Sequence, residues 1–152
     1  MASFYGTNAT KALAISPSNI LDAGLIGGNV RIATDSYTAV GTEVTNDLIY
    51  MGYTLPKGAK VLDVVLHTSA LGTGVTLDVG DAEDADRYIS AVDCSGAIIV
   101  HTEAAEISGR NYEVDETDSS SLDSFIIVKV HNATTVVTAD ATIIVNVYYT
   151  VE

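Results

Sequence analysis

The stretch Ala141-Thr142-Ile143-Ile144-Val145-Asn146-Val147-Tyr148-Tyr149-Thr150-Val151 decides the fold class. Read in steps of two, Ile143, Val145, Val147, Tyr149 and Val151 share one face, and Thr142, Ile144, Asn146, Tyr148 and Thr150 share the other. Successive side chains of a strand point to opposite faces, so this is a strand with the first set expected in the core. Residues 122–131 read the same way, with Leu122, Ser124, Ile126, Val128 and Val130 alternating with Asp123, Phe125, Ile127, Lys129 and His131. In 60–69, Leu62, Val64 and Leu66 are expected inward and Asp63 and His67 outward; further on, Val75, Leu77 and Val79 alternate with Thr76 and Asp78.

Working outward, Val, Ile and Thr make up 48 of the 152 residues, and β-branched side chains favour strands over helices. Further strands are expected at 30–38, 48–54, 86–92 and 97–102, with a short one around Val136; only 82–86 reads as a helical turn. Turn chemistry separates these runs. Leu55-Pro56-Lys57-Gly58 places Pro second in a turn, and Leu71-Gly72-Thr73-Gly74 reads as a short hairpin connection. Short, regularly spaced strands in one domain-length chain predict an all-β, antiparallel sandwich of the jelly-roll kind over 30–152, because two sheets must bury their apolar faces against each other.

Residues 1–29 differ. They carry Phe4, Tyr5, Leu13, Ile15, Ile20, Leu21, Leu25 and Ile26 with neither helical nor strand periodicity, and they end in Gly27-Gly28. This predicts an extended N-terminal arm whose apolar residues contact a partner or a sister subunit. Those eight residues are the candidate contact residues.

Seven basic residues against twenty acidic ones give a net charge of −13. A nucleic-acid binder clusters Lys and Arg against phosphates, so no nucleic-acid partner is expected, and anionic membrane surfaces are disfavoured likewise. No apolar run is long enough for a membrane helix, and the N-terminus shows no secretory pattern, so neither anchor nor leader is expected. Residues 1–60 are neutral, with four bases and four acids, and the whole deficit sits in 61–152, which predicts one docking region and one repulsive, solvated region.

Chemistry-bearing groups are sparse. Cys94 is alone, which reads as a small buried hydrophobe. The acidic runs 78–86 and 113–118 could offer oxygens to calcium, but the EF-hand pattern fails at Ala85, and solvated loops are the simpler expectation. His67, His101 and His131 lack metal-ligand spacing. No nucleophile-elbow, phosphate-loop or zinc-protease motif occurs. The absence of Trp counts against a carbohydrate site, and the sequons at Asn8 and Asn132 read as chance matches. No catalytic residue, metal or cofactor is expected.

Three stretches resemble structural proteins of tailed bacteriophages. Residues 53–62, with Leu55-Pro56-Lys57-Gly58-Ala59, resemble the lead-in to a long core strand of phage head proteins. Thr76-Leu77-Asp78-Val79-Gly80-Asp81 with Ala85-Asp86-Arg87-Tyr88-Ile89 resembles their next hairpin, and 141–149 resembles their last strand. The resemblance implies a capsid decoration, or cement, protein: a jelly-roll domain that assembles as a homotrimer, binds the major capsid protein on the outer surface of the virion, and catalyses nothing. Related head-fibre and tail proteins share such domains, which leaves a receptor- or carbohydrate-binding module as the alternative. A small hydrolase is the second alternative.

Overall fold

The β-branched runs form nine strands among the described residues. They are β1 (Arg31–Thr38), β2 (Leu48–Thr54), β3 (Lys60–Thr68), β4 (Val75–Gly80), β5 (Ile89–Asp93), β6 (Ile98–His101), β7 (Tyr112–Glu113), β8 (Phe125–Ala133) and β9 (Thr142–Thr150). The structure, a computed structural model, describes residues 29–102, 109, 112–114, 125–134 and 136–151. The expected arm, with all eight of its candidate contact residues, lies outside them apart from Asn29. A five-stranded sheet runs in the order β1-β9-β3-β6, with β7 also on β3, and a four-stranded sheet runs β2-β8-β4-β5. Every ladder among the described residues is antiparallel. From β1 to β4 the chain changes sheet at each step, so ladder partners lie far apart in sequence, a jelly-roll-like winding.

The core lies between the sheets. Ile143, Val145 and Val147 of β9 face Val128 and Val130 of β8 and Leu77 and Val79 of β4 within one cluster of buried side chains. Burying each such side chain is worth roughly 1.5–3 kcal/mol. The predicted inward faces of β4 and β9 are therefore present, as are Ile126, Val128 and Val130 of β8; Leu122 and Ser124 lie outside the described residues. In β3 the alternation slips. Val61 is fully buried and Leu62 is only half-buried, because a bulge against β9 between Val61 and Asp63 moves the inward phase by one residue.

Other expectations are corrected. Gly72-Thr73-Gly74 does not close a hairpin, since β3 and β4 belong to different sheets; buried Leu71 bridges the two layers, donating to the Cys94 carbonyl and accepting from the Thr138 N–H. The residues after Val136 form no strand: Val137 is buried and donates its N–H to Glu43, and Asp140 turns at φ +62°. Strand β5 begins at Ile89 rather than 86, because Asp81 holds 82–87 as a loop, which also leaves no helical turn there. The Pro56 turn sits one residue later than its spacing predicts, with Ala59 N–H donating to the Pro56 carbonyl and Gly58 at φ +77°. Strand β7 ends on Glu113, the first residue of the second acidic run, and pairs it with Lys60; 115–118 lie outside the described residues.

The crossing from β1 to β2 is organised by one carboxylate. Glu43 is only 6% exposed. Its Oε1 accepts from the Tyr37 hydroxyl at 2.5 Å and the Val40 N–H at 2.8 Å, and its Oε2 accepts from the N–H groups of Gly41 and Thr42 at 2.9 and 3.0 Å. Burial alone pushes this carboxyl up, but these hydrogen bonds outweigh burial and hold it at about 2 against the ordinary 4.5. The Tyr37 phenol is pushed up to about 12, first by that hydrogen bond and then by burial.

Two outcomes follow. Glu43→Gln should lower unfolding free energy near neutral pH by about 2 kcal/mol, the worth of weakening charge-assisted hydrogen bonds to a buried acceptor. The folded-state carboxyl lies below its unfolded value, so its contribution is complete above pH 4.5 and fades as pH falls towards about 2. The wild-type advantage over Glu43→Gln in urea titrations should shrink across that window, and a constant gap would contradict the account. Separately, a Cβ on Gly80 would lie 2.0 Å from the Asp84 carbonyl oxygen, whereas one on Gly58 meets nothing within 4 Å. Gly80→Ala should cost about 3 kcal/mol or more through overpacking, and Gly58→Ala about 1–2 kcal/mol through its left-handed φ; thermal unfolding compares the two.

Candidate interaction surface

The acidic run 78–86, which begins within β4, is not a bare solvated loop. Asp78 is 2% exposed and Asp81 7%. Asp78 accepts from the Ala91 N–H at 2.7 Å, lies 2.9 Å from His131 Nδ1, and has Lys129 Nζ at 3.8 Å. The bond to Ala91 holds that residue at φ +50°, which an L-residue adopts only under constraint. Asp81 accepts from the N–H groups of Glu83 and Asp84, and from Arg87 Nε at 2.6 Å and Nη2 at 3.2 Å. The Arg87 guanidinium in turn stacks 4.0 Å from the centre of the Tyr112 ring. These carboxylates are saturated by protein donors, so the cluster works as a staple that folds the loop back over Gly80. The sequence signal for it is the Asp78-Val79-Gly80-Asp81 spacing: one carboxylate two residues before Gly80 and one directly after it, at the position where a backbone passes close.

The three histidines are spread out. His67 Nε2 lies 3.2 Å from Asn146 Nδ2, His101 Nδ1 lies 2.6 Å from Asp63 Oδ2, and His131 sits on the other sheet with Asp78. Among the described residues, no three His, Cys, Asp or Glu side chains gather as a metal site. Cys94 is fully buried, and burial pushes its thiol up to about 11, the opposite of an activated nucleophile.

What remains is surface, and its two sheet faces differ. On the five-stranded sheet, the residues alternating with the core set form three cross-strand rows on the outer face. One row is Ile32, Tyr148 and Asp63; the next is Thr34, Asn146, Val65 and His101; the third is Ser36, Ile144, His67 and Ile99. Ile32 is 59% exposed and Ile99 66%. The only carboxylate in these rows is Asp63, already paired with His101. The outer face of the four-stranded sheet instead carries Asp78, Lys129 and His131, with the stapled acidic loop beside them. At the β1–β2 crossing, Tyr37, Val40, Leu48 and Tyr50 help to line an open groove of about 370 Å³. None of these surfaces was singled out from the sequence, because exposure of an apolar residue on an outer face depends on which strands flank it.

No protein family's sequence profile matches the chain, and no curated protein does. Solved structures do. A chain of the Ralstonia phage GP4 capsid superposes with a TM-score of 0.67 at 22% identity, covering 93% of this chain and 94% of that one, which shows a shared fold. A chain of the cyanophage Pam1 capsid asymmetric unit superposes with a TM-score of 0.68 at 30% identity, covering 84% of this chain and 88% of that one. With a shared β-sandwich and that identity over most of both chains, the protein belongs to the same family of bacteriophage capsid proteins as the Pam1 chain.

Proposed function

We propose that the protein is a decoration protein that binds the outer surface of a phage capsid and stabilises the shell, without catalysis. The observation that carries this reading is the 30% identity to a chain of the Pam1 capsid across most of both chains. Charge supports the outer location. A protein of net charge −13 facing the packaged genome would meet phosphate repulsion, while one facing solvent gains solubility. The polar side chains support a structural role, since Glu43, Asp78 and Asp81 are occupied in holding loops.

On this reading the partner is the major capsid protein, and the working unit is a homotrimer. Binding only the assembled shell stabilises it by mass action, and repetition over the lattice multiplies weak contacts. Residues 1–29, with Phe4, Tyr5, Leu13, Ile15, Ile20, Leu21, Leu25 and Ile26, supply much of the docking contact. A few apolar anchors at roughly 1.5–3 kcal/mol each are enough for specific docking once the cost of ordering the segment is subtracted.

Phage heads lacking their decoration protein provide the test. The full chain should sediment with them and raise their melting temperature. A variant lacking residues 1–28 should keep its β circular-dichroism spectrum and lose the heads; unchanged affinity would put docking on the sandwich. Light scattering should give about three times the chain mass for the free protein. A chelator should leave its melting temperature unchanged, because Asp78 and Asp81 already have protein donors; a drop reversed by calcium would contradict that.

A further inference from the structure

The outer face of the five-stranded sheet has no role so far. It lies on four neighbouring strands, and its exposed apolar residues, Ile32 and Ile99, sit on the two flanking strands with Ile144 and Tyr148 of β9 between them. Four strands about 4.8 Å apart and three rows about 6.6 Å apart make this face a patch of about 400 Å². That is about half of the roughly 800 Å² per partner of a standard interface, enough for one part of a larger contact.

We infer that this face is the contact surface between copies of this chain. Resting on the decoration reading only for the expectation of an oligomer, the inference assigns the surface on which it forms. Charge selects the occupant. Two copies each carry −13, so their approach is opposed wherever carboxylates line the surface. The three rows hold a single carboxylate, Asp63, and His101 lies 2.6 Å from it. A basic partner would instead find its complement on the acidic loop near the other sheet, where Glu83 is exposed. The face therefore suits a partner that is itself acidic, and an identical chain is one.

Sedimentation equilibrium at tens of micromolar tests this on the full chain. Ile32→Asp with Ile99→Asp places carboxylates on both flanking strands of the face. The wild type should sediment as a multiple of 15.9 kDa and the double variant as 15.9 kDa, with the same circular-dichroism spectrum. Thr34→Glu, which removes no apolar contact, guards against misfolding and should also weaken association. Leu48→Asp, exposed on the four-stranded sheet, should leave the mass at the wild-type value. An unchanged mass for the double variant and Thr34→Glu, or a wild type that is already monomeric, would overturn the inference. Head binding is scored separately. An oligomer disrupted by the double variant in a protein that never binds heads would leave the surface assigned and remove the decoration reading; the reverse pattern would do the opposite.

Discussion

The structure depends on β9 being paired on both sides at once. Its backbone bonds to β1 along one edge, from Thr142 opposite Thr38 to Tyr149 opposite Arg31, and to β3 along the other. Its inward Ile143, Val145 and Val147 are fully buried. A strand in that position cannot be left for later, because without it β1 has no ladder among the described residues and the core loses its floor. Among the described residues β9 is the last strand and β1 the first, so the sheet closes through long-range pairing. That carries a loop-closure cost before any contact rewards it and predisposes such folds to slow folding.

The crossings between sheets are where this winding is held. A chain that changes layer must turn through backbone whose N–H groups have no ladder partner. Glu43 solves this at the first crossing with one side chain serving Val40, Gly41 and Thr42, while its own carbonyl accepts from Val137 of the β8–β9 crossing. One residue, through its carboxylate on one side and its backbone carbonyl on the other, thus ties together two connections that are nearly a hundred residues apart in the chain. Asp81 does the same work in the β4–β5 loop with Arg87 as counter-ion. The acidity of the chain is in part structural.

Strands and their inward phases were legible where alternation is uninterrupted. The Ile143, Val145, Val147 set and the Ile126, Val128, Val130 set need only the period of a strand. Phase was lost at Leu62, because a bulge is a relation between two strands and one strand's sequence does not display it. The turn at Gly72 was legible as a turn, yet the same glycines serve a hairpin or a change of layer; the choice lies with Leu71 and its burial partners. Asp78 read as exposed because alternation puts it on an outer face, and what covers it, the Ala91 backbone and His131, arrives from other strands. The candidate contact residues before Asn29 lie outside the described residues, so their contacts are untouched by the fold described above.

The division of charge shows how far a linear reading carries. Along the sequence, residues 1–60 are neutral and the rest is acidic, which points to a neutral N-terminal region and an acidic body. The fold does not preserve that division. The near-neutral outer face draws Ile32 and Thr34 from the first part and Val65, Ile99, Ile144 and Tyr148 from the second, because jelly-roll-like winding interleaves early and late strands in one sheet. The acids of the late chain gather instead in its loops, as at Asp81, Glu83, Asp84 and Asp86, between β4 and β5. Repulsion is thereby moved off one sheet face and onto the connections. Two strongly acidic copies would then meet at least cost in orientations that keep those connections apart, so the placement of the charges would restrict how copies can meet.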